Sequence, residues 1–171
     1  DKLLLKIDPG MAFGTGSHET TSLCLELLQK ERLEGKRVLD VGCGSGILSQ
    51  AAVLMGADSA CGCDIDEAAV CAAKSNAVLN GLEYKTSYYK GDLLEFAVGK
   101  YEIVVANIVA DIIMQLTRDI KKVLPYGGVF ISSGIIDSRV QEVVSFICDS
   151  GFEITQIKER RGWAAIRAVL K

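Results

Sequence analysis

The chain has 171 residues, 49% hydrophobic and 24% charged, which fits one globular domain with a real core and excludes a disordered chain. Lysine and arginine number 19 against 22 aspartate and glutamate, a net charge of −3, which argues against a dedicated nucleic-acid binder with its basic footprint. No apolar run reaches the ~18–20 residues that span a bilayer, and no signal-peptide pattern is read.

Elements follow in order along the chain. Residues 8–17 read as a glycine-rich loop, and 22–29 as a helix with Cys24, Leu27 and Leu28 on one face. Residues 37–41 form a short apolar strand that runs into glycines, and 47–54 a helix ended near Gly56. Residues 59–64 are a second strand, and Asp66 is placed to cap a helix that ends near Gly81. Residues 84–89 and 101–106 read as the third and fourth strands. Ile113, Leu116, Ile120, Val123 and Leu124 mark a helix by their spacing, ahead of Pro125. Residues 128–132 are a fifth strand, and Val140, Val143, Val144, Ile147 and Cys148 an amphipathic helix. The alternation then stops: 152–158 and 163–170 read as two strands joined by a turn at Arg160-Arg161-Gly162, hence antiparallel. The expected fold is α/β: a doubly wound, mainly parallel seven-stranded Rossmann-like sheet with a C-terminal antiparallel hairpin.

Six cysteines sit in apolar stretches and read as free, buried small hydrophobes in a reducing, cytoplasmic compartment. Cys61 and Cys63, in a strand-like run, are expected to face opposite ways. No C-x-x-C pair occurs, and with His18 as the one histidine a zinc site is not expected.

The chemistry concentrates after the first strand, in Asp40-Val41-Gly42-Cys43-Gly44-Ser45-Gly46. Gly42 permits a tight turn, Gly44 lets a ligand approach the backbone, and Gly46 allows close helix–strand packing. The third glycine falls one residue earlier than in the pyrophosphate fingerprint G-x-G-x-x-G. A ligand with an amino-acid tail fits such a turn better than a dinucleotide. Asp64, closing the second strand, can accept both ribose hydroxyls of an adenosine. Asp92, in Gly91-Asp92-Leu93 after the third strand, can accept from an adenine amino group, with Leu93 against the ring; a plain turn aspartate is the competing reading. All three features lie at carboxyl ends of adjacent strands, where open α/β sheets bind ligands.

This set, with the final hairpin, resembles the class I S-adenosylmethionine-dependent methyltransferases. Two further stretches narrow the resemblance: Asp8-Pro9-Gly10-Met11-Ala12-Phe13-Gly14-Thr15-Gly16-Ser17-His18-Glu19-Thr20-Thr21, and Asn107-Ile108-Val109-Ala110 after the fourth strand. They resemble the PrmA family, bacterial enzymes that methylate the large-subunit ribosomal protein numbered eleven. The resemblance spans essentially all 171 residues. It implies S-adenosylmethionine as cofactor and a ribosomal protein as partner, with no membrane and no direct nucleic acid. It implies cofactor contacts from Thr21, Gly42, Asp64 and Asn107, with Asn107 beside the transferred methyl and Phe13 in a loop folded over the cofactor. The family's additional N-terminal domain, which grips the substrate, is not read in this chain; the start at Asp1 points to a processed chain or one cut from something longer. The family usually has Asn-Ile-Leu-Ala where this sequence has Val109, a departure that leaves Asn107 in place.

The expected cofactor set is therefore Phe13, Thr21, Gly42, Gly44, Gly46, Asp64, Asp92 and Asn107, with Asn107 also the catalytic residue. Adenine and glutamine methyltransferases usually carry Asn-Pro-Pro-aromatic after the fourth strand. Asn107-Ile108-Val109 lacks those prolines and the stacking ring, which argues against a flipped planar base or amide. An amine is the expected acceptor, either lysine side chains or an N-terminal amine. His18 and Asp111 are candidate bases, with loop stabilisation and a first-turn helix carboxylate as their plainer roles. Met11 and Phe13 read equally as residues packed under the loop, Trp163 as hairpin packing, and Arg160 and Arg161 as a solvated turn. Methylation of another protein or a small molecule, and a non-catalytic cofactor-binding module, are the competing functions.

Overall fold

The computed structural model describes residues 2–8, 10 and 13–171. Arg37–Val41 (β1) is buried from its second residue onward, because strands flank it on both edges and helices cover both faces. Ser59–Asp64 (β2) and Ile103–Asn107 (β4) pair with it in parallel, Thr86–Lys90 (β3) extends the β2 side, and Val129–Ile136 (β5) the β4 side. Phe152–Arg160 (β6) and Trp163–Leu170 (β7) form the hairpin, and β7 runs antiparallel against β5. The order is β3-β2-β1-β4-β5-β7-β6. The doubly wound, seven-stranded Rossmann-like sheet with its C-terminal hairpin is thus present.

Alternation along the strands builds two cores. Val38, Ile103, Val105 and Ile131 face Glu19–Leu28 (α1) and Ile47–Leu54 (α2) through Leu27 and Ile47. Leu39, Val104 and Phe130 face Ala110–Asp119 (α4) and Val140–Asp149 (α5) through Ile113, Leu116 and Ile147. Glu67–Leu79 (α3) packs Val70, Ala73 and Ala77 on Tyr88. Phe130, Ile113 and Leu116 are fully enclosed, so truncating any one to alanine costs ~2–5 kcal/mol.

Boundaries shift for local reasons. α1 starts at Glu19, because the His18 side chain accepts from the Thr20 N–H and caps it. β3 starts at Thr86, because Lys85 still donates to Leu82 O in a turn (3.0 Å). α4 ends at Asp119, and the last apolar positions of its pattern continue through a 3-10 turn at Ile120–Lys122. β5 runs on to Ile136, because β7 pairs with it up to Ile136↔Trp163 across an irregularity at Ser133/Ile135. β6 reaches Arg160, so the hairpin turn is shorter than expected.

The cysteine expectations need two corrections. Cys24, Cys43, Cys61 and Cys63 are buried, but Cys71 and Cys148 are exposed on α3 and α5. Cys61 and Cys63 share one face and one cluster, as alternate residues of a strand must. Burial pushes the Cys24 and Cys63 thiols up to about 12, and Cys43 higher still, so these three are inert packing groups.

Candidate active site

The strand order reverses between β1 and β4, and the crevice at their carboxyl ends is where open α/β sheets take ligands. There the turn after β1 is drawn toward β2: the Gly42 and Cys43 N–H groups both donate to Cys63 O at 2.9 Å. Gly42 (φ +72) has no room for a side chain, since a Cβ would lie 2.5 Å from Ile108 Cγ2. At Gly44 (φ +52) a Cβ would lie 2.5 Å from Phe13 O.

Below the turn, α2 has no side-chain cap of its own; Asp40 on β1 supplies one, its Oδ2 accepting from Ser49 N–H at 3.1 Å. Ser49 Oγ also donates to Gly46 O and meets Tyr88 Oη, both at 3.0 Å. Burial pushes the Asp40 carboxyl up to about 7, against the opposing pull of its Ser49 hydrogen bonds.

Beyond the turn lies a cavity of about 380 Å³. Phe13, Gly42, Gly44, Asp64, Asp92 and Asn107 line it, so six of the eight expected site residues meet at one place. Asp64 is oriented by two backbone donors, Gly44 N–H to Oδ2 (2.9 Å) and Asp66 N–H to Oδ1 (3.0 Å). A carboxylate has about four acceptor positions, so acceptor capacity remains. Asp92 sits in a turn fixed by its N–H donating to Glu95 Oε2 at 2.9 Å. Asn107 donates from Nδ2 to Thr21 Oγ1 at 3.4 Å, which leaves its carbonyl oxygen available. Larger hollows of about 650 and 810 Å³ lie against Arg37 and Tyr84 and against Leu3 and Leu4, away from this convergence of acceptors.

A family model for ribosomal protein L11 methyltransferase (PrmA) matches residues 1–171. The chain belongs to this family. It is 46% identical over 98% of its length to the ribosomal protein L11 methyltransferase of Dictyoglomus turgidum, covering 56% of that protein, and 50% identical over 97% to that of Caldicellulosiruptor bescii, covering 54%. It thus spans about half the length of the curated relatives it matches. The crystal structure of a ribosomal protein L11 methylase from Lactobacillus delbrueckii subsp. bulgaricus superposes with a TM-score of 0.91 at 34% identity, covering 98% of this chain and 85% of that one.

Two expected contacts of this PrmA-family chain do not line the cavity. Gly46 is a packing position, where a Cβ would meet Gln50 Nε2 at 2.7 Å and Tyr88 Oη at 2.9 Å. Thr21 is buried behind Asn107 and reaches the cavity only through it. Neither candidate base lines the cavity wall. His18 Nδ1 meets Thr20 Oγ1 at 2.8 Å, and its ring stands edge-on to Trp163 at 5.0 Å, which fits the loop-stabilising role. Asp111 is an exposed first-turn carboxylate paired with Arg139 at 2.8 Å, which holds it below its ordinary range. Met11, with Pro9 and Ala12 of the same loop, lies outside the described residues.

Arg160 and Arg161 are more than a solvated turn. Arg160 pairs with Glu26 (2.8 Å) and Arg161 with Glu19 (2.9 Å), which fastens the hairpin to α1. Arg160 and Lys158 together hold Glu26 down to about 2. Sequence reasoning also missed the apolar wall of Ile65, Val109 and Ile112. Ile65 carried a signal, an apolar residue between two acidic ones at a strand end, and it is 70% exposed.

Proposed function

We propose that this chain transfers methyl groups from S-adenosylmethionine to amino groups of ribosomal protein L11, on lysine side chains, the N-terminal amine or both. The observation that carries the reading is the convergence of Asp64, Asp92 and Asn107 on one apolar-walled cavity beside a tight glycine turn. That set of acceptors fits an adenosine with an amino-acid tail: Asp64 would accept from ribose hydroxyls, Asp92 from the adenine amino group, and Leu93 would lie against the ring. The names of the relatives supply the acceptor.

Bound S-adenosylmethionine supplies a methyl group already activated by its sulfonium. The work left to the protein is alignment and exclusion of water. A lysine amine has an ordinary pKa of ~10.4, so it has to shed a proton before it can attack. An apolar wall of Ile65, Val109 and Ile112 disfavours the charged ammonium and favours the neutral amine. Asn107, held by Thr21, presents its side-chain carbonyl to orient that amine in line with the methyl group. A ribosomal-protein substrate places the reaction in the cytoplasm, in keeping with six free cysteines.

The test is transfer of label from S-adenosylmethionine to a panel holding ribosomal protein L11, other proteins and small amines. Labelling of L11 amines is expected. Transfer to a small molecule with none to L11 would overturn the acceptor, and binding of the cofactor with no transfer to any member would favour a non-catalytic module.

A further inference from the structure

Two loops bound the cavity, the glycine turn through Gly42 and Gly44 and the covering loop through Phe13. They interlock through Ser45. Its N–H donates to Phe13 O at 2.9 Å and its hydroxyl to Gly14 O at 2.5 Å. A Cβ on Gly14 would lie 2.8 Å from Ser45 Oγ, and one on Gly44 would lie 2.5 Å from Phe13 O, so neither loop can shift without the other. Ser45 is 0% exposed.

The remaining polar group of Ser45 is its carbonyl, and it goes to α3. Asn76, 1% exposed, donates from Nδ2 to Ser45 O at 3.0 Å. Its Oδ1 accepts from Asp8 N–H at 2.9 Å, at the base of the covering loop. One buried amide therefore grips both Asp8 and the residue that holds Phe13 and Gly14. A buried amide with donor and acceptor both engaged has a single well-defined orientation, and losing either partner strands a polar group. Asn80, one helical turn on, brackets Lys6 through N–H to Oδ1 (2.8 Å) and Nδ2 to C=O (2.7 Å) and also donates to Gln50 Oε1 (3.2 Å) and the Asn76 backbone carbonyl (2.7 Å), with no bond to the Asn76 side chain or to either loop of the cavity.

We propose that Asn76 is a positioning residue for cofactor binding, its amide fixing the glycine turn and the covering loop in the arrangement that closes the cavity. The proposal rests on the reading of that cavity as the S-adenosylmethionine site. Asn76 lies outside the lining, so its effect on affinity is transmitted through Ser45 and Asp8. Asn76→Asp keeps the shape and the acceptor toward Asp8 but removes the donor and sets a carboxylate against Ser45 O.

The experiment measures S-adenosylhomocysteine affinity by calorimetry, and its protection of the Phe13–Gly14 bond from chymotrypsin, for wild type, Asn76→Asp and Asn80→Ala. Asn76→Asp should bind about ten-fold more weakly and lose protection at concentrations that shield wild type. Asn80→Ala should lower the melting temperature and leave affinity unchanged. Asn76→Ala, which withdraws the donor to Ser45 O and the acceptor of Asp8 N–H without adding a charge, should weaken binding in the same direction and answers the question if Asn76→Asp does not fold. Wild-type affinity in Asn76→Asp or, failing that, in Asn76→Ala, or an equal loss in Asn80→Ala, overturns the proposal alone. Wild type that binds no S-adenosylhomocysteine overturns the cofactor reading as well.

Discussion

The backbone N–H of Gly44 donates to Asp64 Oδ2 at 2.9 Å, so the carboxylate proposed to take the ribose is aimed by the turn proposed to take the amino-acid tail. The two halves of the site are one hydrogen-bonded unit across β1 and β2. Replacing Asp64 with alanine removes the acceptor of both Gly44 and Asp66 as well as the proposed ribose contact. Affinity for S-adenosylhomocysteine should fall about 100-fold by calorimetry, the scale of a lost charge-assisted pair. A change under two-fold would reduce Asp64 to a tie between the turn and β2.

Gly42 and Gly35 have nearly equal backbone angles, φ +72 and +73, but opposite surroundings. A Cβ at Gly35 meets nothing within 4 Å, whereas one at Gly42 meets Ile108 Cγ2 at 2.5 Å. Gly35→Ala therefore isolates the backbone cost, ~1–2 kcal/mol. Gly42→Ala should cost ~1–3 kcal/mol more, the overpacking contribution, in urea unfolding. Equal losses would mean that Ile108 gives way freely.

Asn107 and Thr21 act as a pair in this geometry. Asn107→Ala should lower methyl transfer about 100-fold while leaving the melting curve intact. Thr21→Val keeps the shape, frees the Asn107 amide to turn, and should lower turnover about ten-fold. If the threonine works through the asparagine, the double variant is no worse than Asn107→Ala alone. Losses that multiply would give Thr21 a direct contact of its own.

Strands and helices of the parallel half were legible because each carries its own signal: Ile47–Leu54 and Ser59–Asp64 were read to the residue. The cavity was legible because the acceptors that line it are tied to strand ends, which a sequence marks with glycine and aspartate. Boundaries set by distant partners were not. β5 continues to Ile136 only because Trp163, far along the chain, pairs with it. Gly46 packs helix against strand as its place in the motif suggests, but that it stands off the cavity was not legible, because its neighbours Gln50 and Tyr88 come from a helix and a strand the motif does not contain. Asn76 gave no sign at all, since a helical asparagine reveals its role only when Ser45 and Asp8 are brought to it.

Asp40 offers a pH test with a defined sign. Its carboxyl is pushed from an ordinary 3.8 up to about 7, mainly by burial. The folded chain then holds this proton through a window where the unfolded chain has released it. Unfolding releases the proton there, so the stability attached to Asp40 is greatest below about pH 4 and is lost as pH rises toward 7. The loss amounts to ~1.4 kcal/mol for each pKa unit of upward shift. Glu26 works in the opposite sense, but its carboxyl, held down to about 2, acts below its ordinary 4.5 and leaves the range above pH 5 to Asp40. Urea midpoints at pH 5 and pH 8 should therefore fall for wild type, and fall less for Asp40→Asn, which keeps an acceptor for Ser49 N–H and has no proton to lose. Parallel falls in the two proteins would assign the pH dependence to other groups and leave the Asp40 carboxylate stably ionised under the turn.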